Sequence, residues 1–217
     1  MKMKYAIFDM DGTLIDSMWI WDRAASNFLK AHGITPPEDV DSTFKTFTIL
    51  GACHYLKANF GVEGSDEEIV ERINKMASDG YDLVEAKPGV GEFLTYLAEK
   101  GVPMAVASST DKALIEKTLT RLGLRAFFSH IVSSSDVGVG KSSPKVFDEA
   151  LSRLGGTKEE CIVFEDSLFA MMTAKTAGYT VAAVRDNGME NKWEESSAYA
   201  DYAIESYESF DKERLFR

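Results

Sequence analysis

Two aspartates one residue apart, in Asp9-Met10-Asp11-Gly12-Thr13, are the first residues of this chain equipped for chemistry. They follow Ala6-Ile7-Phe8, an apolar run with the length of a short buried strand. Side chains two apart point the same way only while a strand continues. Gly12 marks a sharp turn instead, and such a turn brings Asp11 round beside Asp9. A carboxylate such as Asp9 can attack phosphorus and hold the phosphoryl group as an aspartyl phosphate. Asp11, if kept protonated, can donate to a leaving oxygen and later take a proton from attacking water. The same five residues also suit an ordinary strand end, because Asp and Gly are turn formers. Three more places join an apolar run or a glycine loop to polar residues: Ser108-Ser109 after Val106-Ala107, Gly140-Lys141, and Glu165-Asp166 after Ile162-Val163-Phe164. Taken singly, Ser108 reads as a helix cap, Lys141 as a solvated loop charge and Glu165-Asp166 as a helix-start pair favoured by the dipole.

The elements around these residues give them a common setting. Apolar runs of strand length occur at Ala6 to Phe8, Met104 to Ala107, Ile131 to Val132, Ile162 to Phe164 and Val181 to Val184, with helical periodicity between most of them. This alternation predicts an α/β protein with a doubly wound parallel sheet, a Rossmann-like core whose strand carboxyl ends line a ligand crevice. The helices between strands are expected to stop at Gly101, Gly123 and Gly155. The stretch from Asp16 to Lys87 breaks the rhythm, offering helical patterns and no convincing buried strand. Trp21, Ala24, Ala25, Phe28 and Leu29 share one helical face, closed by Gly33. A later helix is expected to start at Ser65, where Ser65 and Glu68 have capping-box spacing. The predicted organisation is a catalytic core over 1–15 and 88–217, interrupted by a small helical cap over 16–87.

Composition narrows the function classes. At 217 residues, 45% of them hydrophobic, the chain can build one full core and a small second unit. A formal charge of −11 with scattered Lys and Arg argues against nucleic-acid binding. The amino terminus holds no long apolar stretch, so no signal peptide, spanning helix or membrane partner is expected. Cys53 and Cys161 are the only two cysteines and have no metal-ligand spacing, which suits a reducing, cytoplasmic setting. His32, His54 and His130 are far apart and read as surface or helix-end residues, and Glu205, Glu208, Asp211 and Glu213 as a solvated face. Gly138-Val139-Gly140-Lys141-Ser142 resembles part of a nucleotide-binding P-loop, but Ser135 stands where that motif needs its first glycine.

The string Phe8-Asp9-Met10-Asp11-Gly12-Thr13-Leu14 resembles the first signature motif of the haloacid dehalogenase superfamily, and three further motifs follow in the family order. Val106-Ala107-Ser108-Ser109 looks like the second, Gly140-Lys141 ahead of Pro144 like the third, and Phe164-Glu165-Asp166-Ser167 like the fourth. The resemblance implies Asp9 as nucleophile, Asp11 as general acid and base, and Ser108 and Lys141 as partners of the phosphate oxygens. Ser109 would add to phosphate binding. It also implies a Mg²⁺ site made by Asp9, the main-chain carbonyl of Asp11, Asp166 and Glu165, the last directly or through water. The helical insertion resembles the family's small cap, whose residues Trp21, Lys45, Thr48 and Leu50 are candidates for substrate selection. The third motif usually runs Lys-Pro-x-Pro; here Ser142 replaces the first Pro. The β-phosphoglucomutase-like group shares this architecture, but its mutase carries a cap His and a cap Arg. This chain has Met18-Trp19-Ile20-Trp21 at the first place and Lys45 without Arg at the second. The expected activity is therefore Mg²⁺-dependent hydrolysis of a small phosphorylated metabolite, by a monomer or weak dimer. Sugar-phosphate mutase chemistry and a catalytically silent phospho-ligand binder are the alternatives. A phosphorylated receiver domain fits less well, because it lacks the inserted helices and the Asp-x-Asp-Gly-Thr pattern.

Overall fold

The computed structural model describes residues 3–44, 49–186 and 193–217. The chain starts with strand β1 (Tyr5–Phe8) and a two-residue strand β2 (Ile15–Asp16), then enters five helices: α1 (Met18–Asp22), α2 (Ala24–Ala31), α3 (Val40–Phe44), α4 (Ile49–Phe60) and α5 (Asp66–Tyr81). It returns through β3 (Glu85–Ala86) to α6 (Val90–Glu99), β4 (Met104–Ser108), α7 (Lys112–Arg121), β5 (His130–Ser133) and the one-turn α8 (Ser134–Val137). It ends with α9 (Lys145–Leu154), β6 (Cys161–Glu165), α10 (Leu168–Thr176), β7 (Thr180–Val184), α11 (Trp193–Tyr199) and β8 (Tyr202–Ile204). Two compact units result: Met1–Asp16 with Glu85–Arg217, and Ser17–Val84. No helix among the described residues is long and apolar enough to cross a membrane.

The first unit is a six-stranded sheet in the order β5-β4-β1-β6-β7-β8, with every pairing parallel. All five apolar runs read from the sequence lie within its strands. The order steps outward from β1 in both directions, so the topological switch falls at β1, where a ligand crevice opens beyond the strand ends. Both faces of the sheet are covered, which is why its central strands are continuously apolar rather than alternating. On one face Ile7, Ala105, Val132 and Val163 pack with Val146, Phe147 and Ala150 of α9 and Met171 and Ala174 of α10. On the other, Phe8 stacks on Phe164 with ring centroids 4.3 Å apart, and Phe93 of α6 meets both rings edge-on. Such ring pairs add about 0.5–1.5 kcal/mol each beyond area burial, so they fix the relative heights of β1 and β6, which carry the acidic residues.

Three features depart from the sequence expectations. The helix expected through Trp21 to Leu29 is broken at Arg23, whose φ of −125° and ψ of 19° are not helical. The carboxylate of Asp41 accepts the Ser26 amide at 2.9 Å, so a residue remote in sequence satisfies an amide that the restarted helix leaves open. The insertion is also flanked by a small antiparallel ladder, Ile15 opposite Ala86 and Asp16 opposite Glu85, where no strand is expected. Two-residue strands are too short to show any period. Finally, β8 extends the sheet where no strand is expected, and Ile204, Tyr207 and Leu215 are buried between Glu205, Glu208, Asp211 and Glu213, which are exposed as expected.

The second unit has its own core, formed by Ala25, Phe28, Leu29, Val40, Leu56, Ile69 and Ile73 among others. The helix starting after Ser65 has both halves of a capping box: the Glu68 amide donates to Ser65 Oγ at 3.2 Å and the Ser65 amide donates to Glu68 Oε2 at 2.8 Å. His32 caps the end of α2, its Nδ1 lying 2.7 Å from the Phe28 carbonyl, and His54 pairs with Asp66 at 2.9 Å on the surface.

Candidate active site

Four neighbouring strands end in polar residues. Ser133 and Ser108 are the last residues of β5 and β4, Asp9 follows β1, and Glu165 is the last residue of β6. Ser108, Ser133 and Glu165 are at most 1% exposed and Asp9 is 6% exposed, so this polar row lies at the rim of the core rather than on open surface. The amide of Asp9 donates to the Phe164 carbonyl at 2.9 Å, which carries the β1–β6 ladder up to the Asp9 backbone and holds it rigidly.

Directly after Asp9 the chain turns. The amides of Thr13, Leu14 and Ile15 all converge on the Met10 carbonyl, at 3.3, 2.8 and 3.1 Å, and Gly12 takes a φ of +73°. Only glycine enters that region without strain. A second constraint acts at the same position, because a Cβ on Gly12 would stand 2.3 Å from Oδ2 of Asp166. The turn therefore brings bare backbone against the Asp166 carboxylate, whose other oxygen accepts from Thr13 Oγ1 at 3.2 Å.

Lys141 reaches this group from the loop between α8 and α9. A turn closed by the Ser143 amide on the Gly140 carbonyl, at 3.0 Å, precedes Pro144 at the cap of α9. The loop thus keeps a compact form with Ser142 in place of the family's usual Pro. The ammonium donates to Asp9 Oδ1 and, at 2.5 Å, to Glu165 Oε1. Oε2 of Glu165 accepts the Ser167 amide at 3.0 Å, so both of its oxygens are engaged.

Burial decides the electrostatics here. It pushes the Asp9 carboxyl up to about 7, a rise that Lys141 opposes and that Glu165 and Asp11 reinforce. Burial likewise holds Asp166 well above the usual carboxylate range, with Glu165 and Asp9 adding to the rise and Lys141 opposing it. For Lys141 burial works against the charge, but Asp9 and Glu165 outweigh it and keep the ammonium firmly protonated. Asp9, Glu165 and Asp166 each offer a carboxylate oxygen, all within 4.8 Å of one another. Three carboxylates against one ammonium leave two negative charges when all are ionised. That charge and the all-oxygen donor set fit a hard divalent cation. The side-chain carboxylate of Asp11 is not in this cluster; the resemblance gives Asp11 a metal contact through its main-chain carbonyl instead.

Asp11 belongs to a second group. Its Oδ2 accepts from the hydroxyl of Thr110 at 2.6 Å, and the Thr110 amide donates to Ser108 Oγ at 3.1 Å. The Thr110 carbonyl accepts from Ser133 Oγ at 2.7 Å. Ser109 is exposed at the end of β4. Of the cap candidates, Lys45 and Thr48 lie outside the described residues, and the described structure does not extend to the side chains of Trp21 and Leu50.

A family model described as haloacid dehalogenase-like hydrolase matches residues 6–184. The chain belongs to that family. Among curated relatives, hexitol phosphatase B of Escherichia coli K12 is 31% identical over 186 residues, covering 79% of each protein. A bifunctional riboflavin kinase/FMN phosphatase of Arabidopsis thaliana is 32% identical over 186 residues, which cover 82% of this chain and 47% of that protein. The chain thus spans under half of that relative. Among solved structures, a candidate β-phosphoglucomutase from Thermotoga maritima superposes with a TM-score of 0.78 at 27% identity, covering 95% of this chain and 96% of its own. The solved-structure neighbour shares the fold of this chain, and the curated sequence relatives are named as phosphatases. This haloacid dehalogenase-like chain is accordingly a phosphatase, and the mutase alternative is not favoured.

Three groups near the site gave no signal in the sequence. Thr110 follows the second motif by one residue and meets Asp11 across 99 positions. Tyr207, from the acidic carboxyl-terminal stretch, donates to the Thr13 carbonyl at 3.1 Å. Lys87 forms a part-buried ion pair with Asp186 at 2.7 Å, and the charge of Asp186 contributes to the raised Asp166. Each is a tertiary contact between segments with no local pattern of their own.

Proposed function

We propose that this phosphatase hydrolyses a small phosphomonoester, of the phosphorylated sugar or polyol class, through an aspartyl phosphate on Asp9. The observation that carries this reading is the contact of one buried ammonium, Lys141, with both Asp9 and Glu165 beside Asp166. Asp9 attacks phosphorus with a carboxylate oxygen, and the bond from phosphorus to the ester oxygen breaks. Asp11 gives its proton to that departing oxygen. In the second half, water attacks the phosphoryl group, Asp11 takes the water's proton, and the acyl phosphate bond breaks to release phosphate and regenerate Asp9.

Lys141 and the Ser108 hydroxyl neutralise and orient the phosphoryl oxygens. Ser108 Oγ accepts the Thr110 amide and still carries its own proton to donate. Asp9, Glu165, Asp166 and the main-chain carbonyl of Asp11 would hold Mg²⁺. When bound, that ion supplies charge neutralisation for the carboxylates and for an anionic substrate. A raised Asp9 carboxyl is a poor nucleophile when protonated; Lys141 opposes that rise, and a bound cation would oppose it further. The helical unit Ser17–Val84 serves as the cap, with Trp21, Lys45, Thr48 and Leu50 as substrate-selecting candidates. The substrate class rests on relatives named for phosphorylated carbohydrates and hexitols.

A panel of hexose, pentose and hexitol phosphates assayed with Mg²⁺ tests the proposal. Phosphate release that ends on chelation and returns with Mg²⁺ is the expected result. Turnover unchanged in excess chelator contradicts the metal role, and release from none of these esters contradicts the substrate class.

A further inference from the structure

The proposed reaction asks Asp11 to deliver a proton and later recover it, and a carboxyl group can do this from either oxygen. Which oxygen acts, and toward which side, depends on what fixes the rotation of the group. In this chain Oδ2 lies 2.6 Å from the Thr110 hydroxyl. Thr110 is itself fixed at both of its backbone groups: its amide by Ser108 Oγ at 3.1 Å and its carbonyl by Ser133 Oγ at 2.7 Å. Ser108 and Ser133 are the paired terminal residues of β4 and β5, both buried, so the frame that holds Thr110 is the sheet itself. The Ser133 hydroxyl also approaches Ser135 Oγ at 2.9 Å, in a one-turn helix that Asp136 closes by accepting the Ser133 amide at 3.2 Å.

We infer that Thr110 is a positioning residue for Asp11, donating its hydroxyl proton to Oδ2 so that the transferable proton is carried on Oδ1. This rests on the reading of Asp11 as general acid and base. Oδ2 accepts from Thr110 whether Asp11 is charged or neutral, because a carboxylic acid keeps an acceptor oxygen after protonation. In the first half-reaction the proton leaves Oδ1 for the ester oxygen as the bond from phosphorus to that oxygen breaks. In the second, the proton of the attacking water arrives on Oδ1 as the new bond to phosphorus forms. Thr110 keeps its own proton throughout. The arrangement also couples proton transfer to phosphate binding, since the Ser108 oxygen that steadies the Thr110 amide belongs to the residue that donates to a phosphoryl oxygen.

The test uses the Mg²⁺-loaded full chain and rapid-quench measurement of phosphoenzyme formation with two substrates, a hexitol phosphate and p-nitrophenyl phosphate. The alkyl leaving group needs protonation and the nitrophenolate does not. Thr110→Val keeps the shape and removes the donor; Thr110→Ser keeps the donor. Misdirecting a proton carrier should slow phosphorylation by the alkyl ester about 10- to 100-fold in Thr110→Val, and by the aryl ester less than about threefold. Thr110→Ser should restore the alkyl rate to within about threefold of wild type. Equal losses on both esters, or a Ser variant as slow as the Val variant, overturn the inference and leave Thr110 a structural residue. If the Val variant melts below wild type, Thr110→Ala carries the same comparison against Ser. Absence of any phosphoenzyme in the wild-type protein with both esters is a different result: it removes the underlying mechanism, and the inference with it.

Discussion

Replacing Gly12 by Ala separates the backbone's need for glycine from the site's need for it. The added Cβ meets two costs. At a φ of +73° an L residue is strained by about 1 kcal/mol, which for a domain of this size lowers the melting temperature by about 2–4 °C. The second cost is specific to the site: a Cβ 2.3 Å from Asp166 Oδ2 forces that carboxylate to retreat by about 1 Å to reach ordinary contact. Asp166 is one of the three carboxylates able to share a cation, and its retreat would strain the hydrogen bond that it accepts from Thr13 Oγ1. A displacement of that size around a reacting centre costs on the order of 10²-fold in rate, and disturbing a ligand's support costs about 10- to 100-fold in metal affinity. Gly123 is the matched control, with a φ of +72° and nothing within 4 Å of an added Cβ. Thermal denaturation in chelator, calorimetric Mg²⁺ titration and kcat/KM are then compared for Gly12→Ala and Gly123→Ala. Both variants should melt lower in chelator, and only Gly12→Ala should lose metal affinity and turnover. Equal metal affinity and activity in the two variants would refute the reasoning, because the clash would then have no functional consequence.

Lys141→Met should leave Asp9 and Glu165 buried without their counter-charge; breaking such a pair costs about 3–5 kcal/mol, read as a lower denaturation midpoint in chelator together with loss of turnover. Without a cation, burial pushes the Asp9 carboxyl from the ordinary carboxylate range up to about 7 in the folded state. A raised carboxyl contributes stability that is present below the lower value and lost as pH rises through the higher one. The chelated wild type should therefore be less stable at pH 8 than at pH 6, and Asp9→Asn should reduce that difference, with the raised Asp166 retaining part of it; an unchanged slope in the variant would contradict the assignment. Asp11→Asn should cost roughly 10²–10⁴ in turnover of an alkyl phosphate, with phosphoenzyme accumulating when an aryl phosphate is supplied, as seen by quench and mass spectrometry.

Much of the core was legible in the sequence because it rests on local, repeating signals. The runs around Ile7, Val106, Val132, Val163 and Ala182 are continuous apolar segments, and only strands covered on both faces need them. The acidic and hydroxyl residues that follow these runs are at strand ends for the same reason. What escaped was set by tertiary contact. The break at Arg23 is accompanied by a carboxylate that Asp41 offers to the Ser26 amide, which no period in Trp21 to Leu29 announces. β8 is three residues long and sits among exposed acids, so charge hid the buried Ile204 and Tyr207. Thr110 follows Ser108-Ser109 with no local feature that sets it apart. Its partner is 99 positions away, and the pairing of β1 beside β4 brings the ends of the two strands together.

The central claim is that Asp9, and not its neighbour two residues on, carries the phosphoryl group. Rapid-quench mass spectrometry of the wild-type, Asp9→Asn and Asp11→Asn proteins, with an aryl phosphate and Mg²⁺, tests it most directly. The account predicts a phosphoryl adduct on Asp9 in the wild-type and Asp11→Asn proteins, and none in Asp9→Asn. An adduct mapped to Asp11 in Asp9→Asn, or full turnover by that variant, would contradict it.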